Sequence, residues 1–561
     1  MSIPAKAWAW AALAGVLQVL IFPTPAWSPL AWIALSPLLV ALLQRPDAEV
    51  LRPGAAEGLT LKQGFVLGYL CGFIWYLGSC YWVFHVMHNY GGLPAPVAGG
   101  ILVLFCLYLG LYHALFAALL VRIGRKSIPF ALIVSPLLWV AVELARSRVT
   151  GFPWDLLGTA QVENIALTRI APWTGVYGLS LIIATVNALF AAAVLARGRK
   201  IPVALAAVAA AVVLQAGVLW RPADAQATHV ARLVQQNVPI THSAWTADQF
   251  DQTIAALSEL SRQPKRGDVP KNWSAPPRLI IWPESPAPFY VNDPKLNTWL
   301  GTLATDQNAY VLAGSLGLRN PTDGGDYDIF NSAVLVAPSG AFLARYDKVH
   351  LVPFGEYVPF QELLFFAKNL TKQVGTFSRG VDRTVFKLPA SPATAPPTAE
   401  HAHHEGMKMP ETSPLSADAG KDAAEGYRVG TFICYESVFP DEIRMFALNG
   451  AQVFVNISND GWFGASGAPG QHLNMARMRA IENNRWLLRS TNTGITAAVD
   501  PFGRVVARAE PNIRTAINVP YAMITETTFY TRHGDWLAYG CAIISLVAVF
   551  VRFNLKAGVL R

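Results

Sequence analysis

Apolar residues run almost unbroken through the first ~220 positions, give way to short β-rich runs, and return once near the end. A membrane-spanning helix needs about 20 mostly apolar residues, because the hydrocarbon core is ~30 Å thick and each residue rises ~1.5 Å. By that measure candidate spans fall at approximately 7–23, 28–44, 64–83, 98–122, 128–146, 174–196, 201–220 and 535–552. Lys6 ahead of the first run is what a signal peptide would carry. The further apolar runs directly behind it favour a retained helix.

From about 228 the pattern changes. ARLVQQNV (231–238), RLIIWPE (278–284), AYVLAGSL (309–316) and SAVLVAPSG (332–340) read as strands. YRVGTFICYES (427–437), AQVFVNISND (451–460) and LLRSTNTGITAAVDPFGRVVAR (487–508) continue the series. Helical candidates lie between them, at 247–263 and 472–485. Continuous apolar strands alternating with helices predict an α/β domain with buried sheets. The expected organisation is a membrane part over 1–220, a water-facing domain over 221–534, and a last span with its tail over 535–561.

Residues 388–425 interrupt the pattern with Pro, Ala, Ser and Thr and almost no large apolar side chains. Such a stretch buries too little surface to offset its ordering entropy, so a flexible insertion is expected. It carries His401, His403, His404, Met407 and Met409, a soft-metal donor set that composition alone reads as a solvated linker.

Composition sharpens the picture only in part. The chain is 53% hydrophobic and 14% charged over 561 residues, against ~25% charged for a soluble domain. A net charge of +8 without clustered basic residues and interleaved aromatics argues against nucleic acid. Instead Lys and Arg flank alternate loops: Lys6; Arg45, Arg52 and Lys62; Arg122, Arg125 and Lys126; Arg197, Arg199 and Lys200; Arg552, Lys556 and Arg561. Those loops can all be cytoplasmic at once, which sets 221–534 on the opposite face. Arg146, Arg148 and Arg169 run against that rule.

Of five cysteines, Cys71, Cys80, Cys106 and Cys541 lie in apolar runs, where a cysteine usually serves as a small hydrophobe. Cys434 stands alone in the water-facing region, at the end of the strand VGTFI. RLIIWPE likewise delivers Glu284 to a strand's carboxyl end, and YDKVHLVPFGEYVPF offers Lys348 and Glu356 from a loop. Ligands bind at that edge of open α/β sheets. A packed cysteine, a solvated carboxylate and a surface lysine are the ordinary readings of each residue taken singly. Together they make a set. Acyl chemistry on a thiol needs a base and a fixed cation for the oxyanion, and Glu with Lys supplies both without a histidine.

WPES, YDKVHLVPFGEYVP and GTFICYES, in this order, resemble the Glu, Lys and Cys motifs of the nitrilase (carbon–nitrogen hydrolase) superfamily. TGFPWDLLG (150–158), LVQQNVP (233–239), HLVPFGEYVP (350–359) and SNDGWFGASGAPGQHLNMARMRAIENNR (458–485) resemble one branch of it, the apolipoprotein N-acyltransferases. The resemblance implies a membrane α-helical bundle plus α/β, a nitrilase-like αββα sandwich inserted between transmembrane helices 7 and 8. It implies Glu284 as general base, Lys348 as oxyanion-stabilising cation and Cys434 as nucleophile, with Trp245, Glu356, Tyr435 and Glu436 as substrate-side support.

The implied reaction takes an acyl chain from a membrane phospholipid and passes it to the α-amino group of a diacylglyceryl-modified N-terminal cysteine of an apolipoprotein. The implied location is the inner membrane, with the catalytic domain periplasmic; no metal or organic cofactor is needed. Trp462 and Phe463 have two readings, as aromatics dipping towards the membrane interface or as core. Two other functions stay open on the residues alone. One is a membrane-tethered amidohydrolase with water as acceptor. The other is a transporter or scaffold, for which Glu143 is the acidic residue deepest in an apolar run.

Overall fold

The computed structural model describes residues 3–45, 58–196, 200–240, 246–262, 278–285, 288–320, 327–353, 355–357, 377–389 and 426–554. Trp245 and the His/Met-bearing segment of the 388–425 insertion lie outside the described residues.

Among the described residues, four helices are long and apolar enough to cross a membrane: Ala95–Gly124, Ile128–Thr150, Val176–Leu195 and Lys200–Leu219. A fifth is a bent pair, Leu61–Ser79 and Trp82–Tyr90, turning by 52°. The other three expected spans are shorter apolar helices, Ala5–Leu20, Ser28–Leu43 and Trp536–Val551. At ~1.5 Å per residue the 16-residue helix Ala5–Leu20 reaches only ~24 Å, short of a ~30 Å core. The run at 28–44 opens with a 3₁₀ turn, Ser28–Trp32, before the α-helix Ser36–Leu43 begins. The apolar run at 64–83 ends earlier than its hydropathy suggests, at Ser79, and part of the expected loop at 84–97 is helical.

Leu61–Ser79 and Ala95–Gly124 pack closely because Gly64, Gly68 and Gly72 line one face of the first helix. A Cβ at Gly64 would meet the Val121 methyl at 2.7 Å, one at Gly72 the His113 Cβ at 2.8 Å, and one at Gly68 the His113 carbonyl and Ala117 methyl. Small residues at four-residue spacing let helix backbones approach where no hydrophobic force drives them together.

Among the described residues, two six-stranded sheets follow these helices in the chain. In chain order the strands are β1 (His229–Gln235), β2 (Leu279–Ile281), β3 (Tyr310–Arg319), β4 (Asp328–Val336), β5 (Phe342–Asp347) and β6 (Val385–Leu388). They continue as β7 (Tyr427–Ile433), β8 (Val453–Ser458), β9 (Leu487–Thr491), β10 (Ala497–Val499), β11 (Val505–Arg508) and β12 (Thr515–Tyr521). One sheet runs β12-β1-β2-β3-β4-β5 and the other β11-β10-β9-β8-β7-β6. The centre of each is parallel, β1–β2–β3 and β7–β8–β9, with antiparallel margins.

Leu233, Ile281 and Leu335 of the first sheet share one core with Phe432, Val455 and Leu488 of the second. Helices Ala247–Arg262 and Pro294–Gln307 cover the first sheet's outer face through Ile254, Leu257, Leu300 and Leu303. Helices Pro440–Leu448 and Ala468–Asn483 flank the second sheet, giving the helix–sheet–sheet–helix stack of a nitrilase-like α/β fold.

The helix Ala468–Asn483 is buried on both sides. Leu473, Ala476 and Ala480 face the sheet core, whereas Met475, Met478 and Ile481 join the core of the membrane-type helices. Strands β5, β6 and β12 escaped the sequence pattern. Half-buried FLARYD alternates too weakly, and VFKL adjoins the low-complexity insertion.

The glycine face generates a test. Gly68→Val is expected to cost about 1–3 kcal/mol by overpacking, read as a lower unfolding midpoint in detergent. Gly99→Ala, whose Cβ would meet nothing within 4 Å, is the control and is expected to hold or raise the midpoint. Equal midpoints for Gly68→Val and wild type would overturn the packing.

Candidate active site

β2 and β7 come from different sheets, and their carboxyl ends meet. β7 ends at Ile433, and Cys434 follows with φ +50°, a left-handed backbone at a residue with a side chain. Such a conformation costs ~1–3 kcal/mol and persists only where the surroundings over-determine it. The chain then closes a 3₁₀ turn over Cys434–Val438. β8 lies beside β7, Ile457 paired with Ile433, so Ser458 and Asn459 emerge next to the cysteine. β2 runs through Trp282 and Pro283 into Glu284, whose Oε2 accepts the Asn459 amide at 2.8 Å.

Lys348 follows β5 and is buried with two carboxylates. Its Nζ lies 2.9 Å from Glu356 Oε1 and 3.4 Å from Glu284 Oε1. Burial pushes the ammonium down, but Glu356 and Glu284 outweigh it and hold the lysine well above its usual range. Asn331, on β4, bridges the two acids: its Nδ2 donates to Glu284 Oε1 and to Glu356 Oε1, each at 2.7 Å. Glu356 Oε2 accepts the Val352 amide at 2.8 Å, closing the loop that carries it. The Cys434 thiol is pushed up, first by burial and then by the Glu284 charge, against the pull of Lys348. At neutral pH it is therefore a protonated thiol.

Glu284, Lys348, Glu356 and Cys434 are thus brought together, and all four are buried. Tyr435 and Glu436 take other positions. Glu436 Oε1 accepts from Tyr346 Oη at 2.7 Å, the Val349 amide at 2.7 Å and the His350 amide at 3.1 Å. Its Oε2 accepts the Ile433 amide at 2.7 Å. With four donors bonded, the carboxylate ties the lysine loop to the cysteine turn. Tyr435 points the other way, donating to the Gly151 carbonyl at 3.0 Å across to the membrane-type helices. It lines a cavity of ≈ 280 Å³ together with Arg148, His350, Tyr357, Arg379 and Asp535.

Trp462 stacks edge-on with Tyr90, and Phe463 meets Trp82, Trp154 and His472. The aromatic loop is therefore seated on the membrane-type helices. Asn331 was missed in the sequence because an Asn inside an apolar strand looks like any β residue; its partners are 47 and 25 positions away. His472 was missed as well: it reaches the Cys434 carbonyl oxygen at 3.1 Å from the run 472–485, which was read as a helical candidate and part of a family-like motif with no role for its histidine.

Two family models match. The apolipoprotein N-acyltransferase N-terminal domain covers residues 14–189, and the carbon–nitrogen hydrolase domain covers 230–527. The apolipoprotein N-acyltransferase of Geobacter metallireducens is 34% identical over 99% of this chain and 97% of its own length. The chain belongs to the apolipoprotein N-acyltransferase family. The relatives from Methylococcus capsulatus and Photobacterium profundum are 32% and 30% identical, over 92% and 98% of this chain and 92% and 95% of theirs.

The electrostatics of this family member's thiol can be titrated. Glu284→Gln removes a charge that raises the thiol, so thiolate absorbance, read against Cys434→Ala, is expected to develop at lower pH than in wild type. Lys348→Met removes the opposing charge and should move it to higher pH. Identical titrations in all three proteins would refute the arrangement.

Proposed function

We propose that this chain is a membrane-bound acyltransferase that N-acylates lipoproteins, taking the acyl group from a phospholipid through a thioester on Cys434. One observation carries the reading: the Glu284–Lys348–Glu356 cluster and Cys434 sit at the mouth of two sheets, and a helix covering the second, Ala468–Asn483, packs directly on apolar helices. A thiol site built against membrane helices suits two lipid substrates that need not be present together.

In the first half-reaction Glu284 takes the Cys434 proton and the sulfur attacks the ester carbonyl of the phospholipid. The C–S bond forms while Lys348 balances the oxyanion. Collapse breaks the C–O bond, and the lysophospholipid oxygen leaves with the proton from Glu284. In the second, the free α-amine of the diacylglyceryl-cysteine attacks the thioester. Glu284 receives the amine's proton, the C–S bond breaks, and the thiol is restored. Glu356 and Asn331 hold Lys348 and Glu284 in register. The charged lining of the ≈ 280 Å³ cavity beside Tyr435 suits the polar end of a substrate whose chains lie among the helices.

Phospholipid without acceptor should leave one acyl chain on the FICYES peptide, released by neutral hydroxylamine and discharged by a diacylated lipopeptide. Cys434→Ser should form no thioester, and Glu284→Gln and Lys348→Met should slow its formation by about 10²-fold. Release of free fatty acid with no amine acylation would favour the hydrolase, and an adduct on another residue would sink the mechanism.

The same reading sets 1–220 as the membrane part, 221–534 on the periplasmic face of the inner membrane, and 535–561 as the last span with its tail. The alternating Lys and Arg support it. Two of the contrary arginines are engaged within the protein: Arg146 donates to the Trp154 carbonyl at 2.7 Å, and Arg148 pairs with Asp441 and Asp535. In a cysteine-free background, an impermeant thiol reagent added from outside is expected to label Glu259→Cys and to spare Lys126→Cys. The reverse pattern would reject this topology.

A further inference from the structure

We infer that His472 is a positioning residue for Cys434: as a neutral imidazole protonated on Nε2, it donates to the Cys434 carbonyl and holds the cysteine's left-handed turn. The inference rests on the acyl-transfer reading of Cys434 and adds the element that fixes the nucleophile's backbone.

His472 is fully buried, and each ring nitrogen meets two partners. Nδ1 lies 3.0 Å from Asp460 Oδ1 and 3.0 Å from Arg489 Nη2. Nε2 lies 2.8 Å from Ser437 Oγ and 3.1 Å from the Cys434 carbonyl oxygen. Burial pushes the Asp460 carboxyl up, but Arg489 outweighs it and holds the group far below the usual carboxylate range, so Asp460 is ionised. Arg489 reaches both Asp460 oxygens, at 2.9 and 2.7 Å, so the pair is internally neutral. Burial and Arg489 lower the imidazole, outweighing Asp460, so it carries a single proton.

Two tautomers compete. A proton on Nδ1 satisfies Asp460 and lets Nε2 accept from Ser437. It also turns N–H against the Arg489 N–H and leaves a bare Nε2 lone pair facing the Cys434 carbonyl. A proton on Nε2 is shared between the Cys434 carbonyl and Ser437 Oγ while Nδ1 accepts from Arg489. Its single conflict is with Asp460 Oδ1, which already has Arg489 and the Ser458 hydroxyl, at 2.8 Å. The Nε2 tautomer leaves one opposed contact and the Nδ1 tautomer leaves two.

The ring is also held in place. The Trp154 ring stacks at 5.9 Å, and Phe463 meets it edge-on at 5.8 Å. A carbonyl pinned from a fully packed ring is what a cysteine at φ +50° requires to stay there.

Two substitutions separate this from a purely structural ring. His472→Gln carries an amide N–H at about the reach of Nε2, whereas His472→Asn carries one only near Nδ1. The rate of Cys434 adduct formation from phospholipid is the readout, with KM and the unfolding midpoint measured alongside. The Asn variant is expected to acylate about 10–100-fold more slowly at near-unchanged KM, and the Gln variant to stay within about threefold of wild type. Equal loss in both variants, or a better Asn variant, would overturn the inference.

The tautomer can be read without relying on either variant's fold. ¹⁵N spectra of wild-type protein labelled at histidine should show His472 protonated on Nε2, and protonation on Nδ1 would equally overturn it. Absence of any adduct on wild-type Cys434 would fell the acyl-transfer reading alone, since the nitrogen spectra still decide the tautomer.

Discussion

Everything near the cysteine depends on one helix having no solvent face. All residues of Ala468–Asn483 are at least partly buried, between the second sheet on one side and the membrane-type helices on the other. Burying Leu473, Met475, Met478 and Ile481 is worth ~1.5–3 kcal/mol each, split between the sheet core and the core of the membrane-type helices. Polar ties fix the register. Trp154 Nε1 donates to Gln471 Oε1 at 2.8 Å, Gln471 Nε2 to the Pro23 carbonyl at 2.8 Å, and the Val176 amide to Glu482 Oε1 at 2.9 Å. Buried amides and indoles of this kind are costly to leave unpaired, so the two halves cannot slide over each other.

That constraint propagates to the reacting atoms. The same helix carries His472 against the Cys434 carbonyl, and the loop before it carries Phe463 against Trp82 and Trp154. Arg148, at the end of Ile128–Thr150, pairs with Asp441 on the helix after the cysteine turn and with Asp535 before the last helix. The cysteine turn is thus clamped from both sides by residues anchored in the apolar helices. A soluble sandwich would have to supply these contacts itself.

The strands that deliver Glu284 and Cys434 were legible because each is a continuous apolar run ending abruptly in a polar residue. The apolar helices were legible as composition, but their ends were not. Ser79 stops one helix, and a 3₁₀ turn delays another, for reasons of packing that hydropathy does not encode. Gly64, Gly68 and Gly72 were not singled out in the sequence, because the partner they admit, Ala95–Gly124, is a tertiary fact. Asn331, Asp460, His472 and Arg489 were hidden for the same reason. Each is a polar residue whose meaning lies in a partner far along the chain. Glu436 shows the converse: a motif residue beside Cys434 whose carboxylate is engaged by backbone amides.

The charge arrangement explains why such a site needs burial at all. Two carboxylates and one ammonium leave the cluster net negative, which with desolvation keeps the Cys434 thiol protonated at rest. The thiolate is the form that oxidants and stray electrophiles attack, so a protonated, buried thiol is inert in the absence of a substrate. Reactivity is stored in the neighbouring carboxylate. In the proposed reaction, proton transfer to Glu284 and charge development opposite Lys348 would occur together on an ester carbonyl, in a space already oriented for both. Moving either group by an ångström would forfeit that coincidence, and the bonds that prevent it are those of Asn331 to both acids and of Glu436 to the lysine loop.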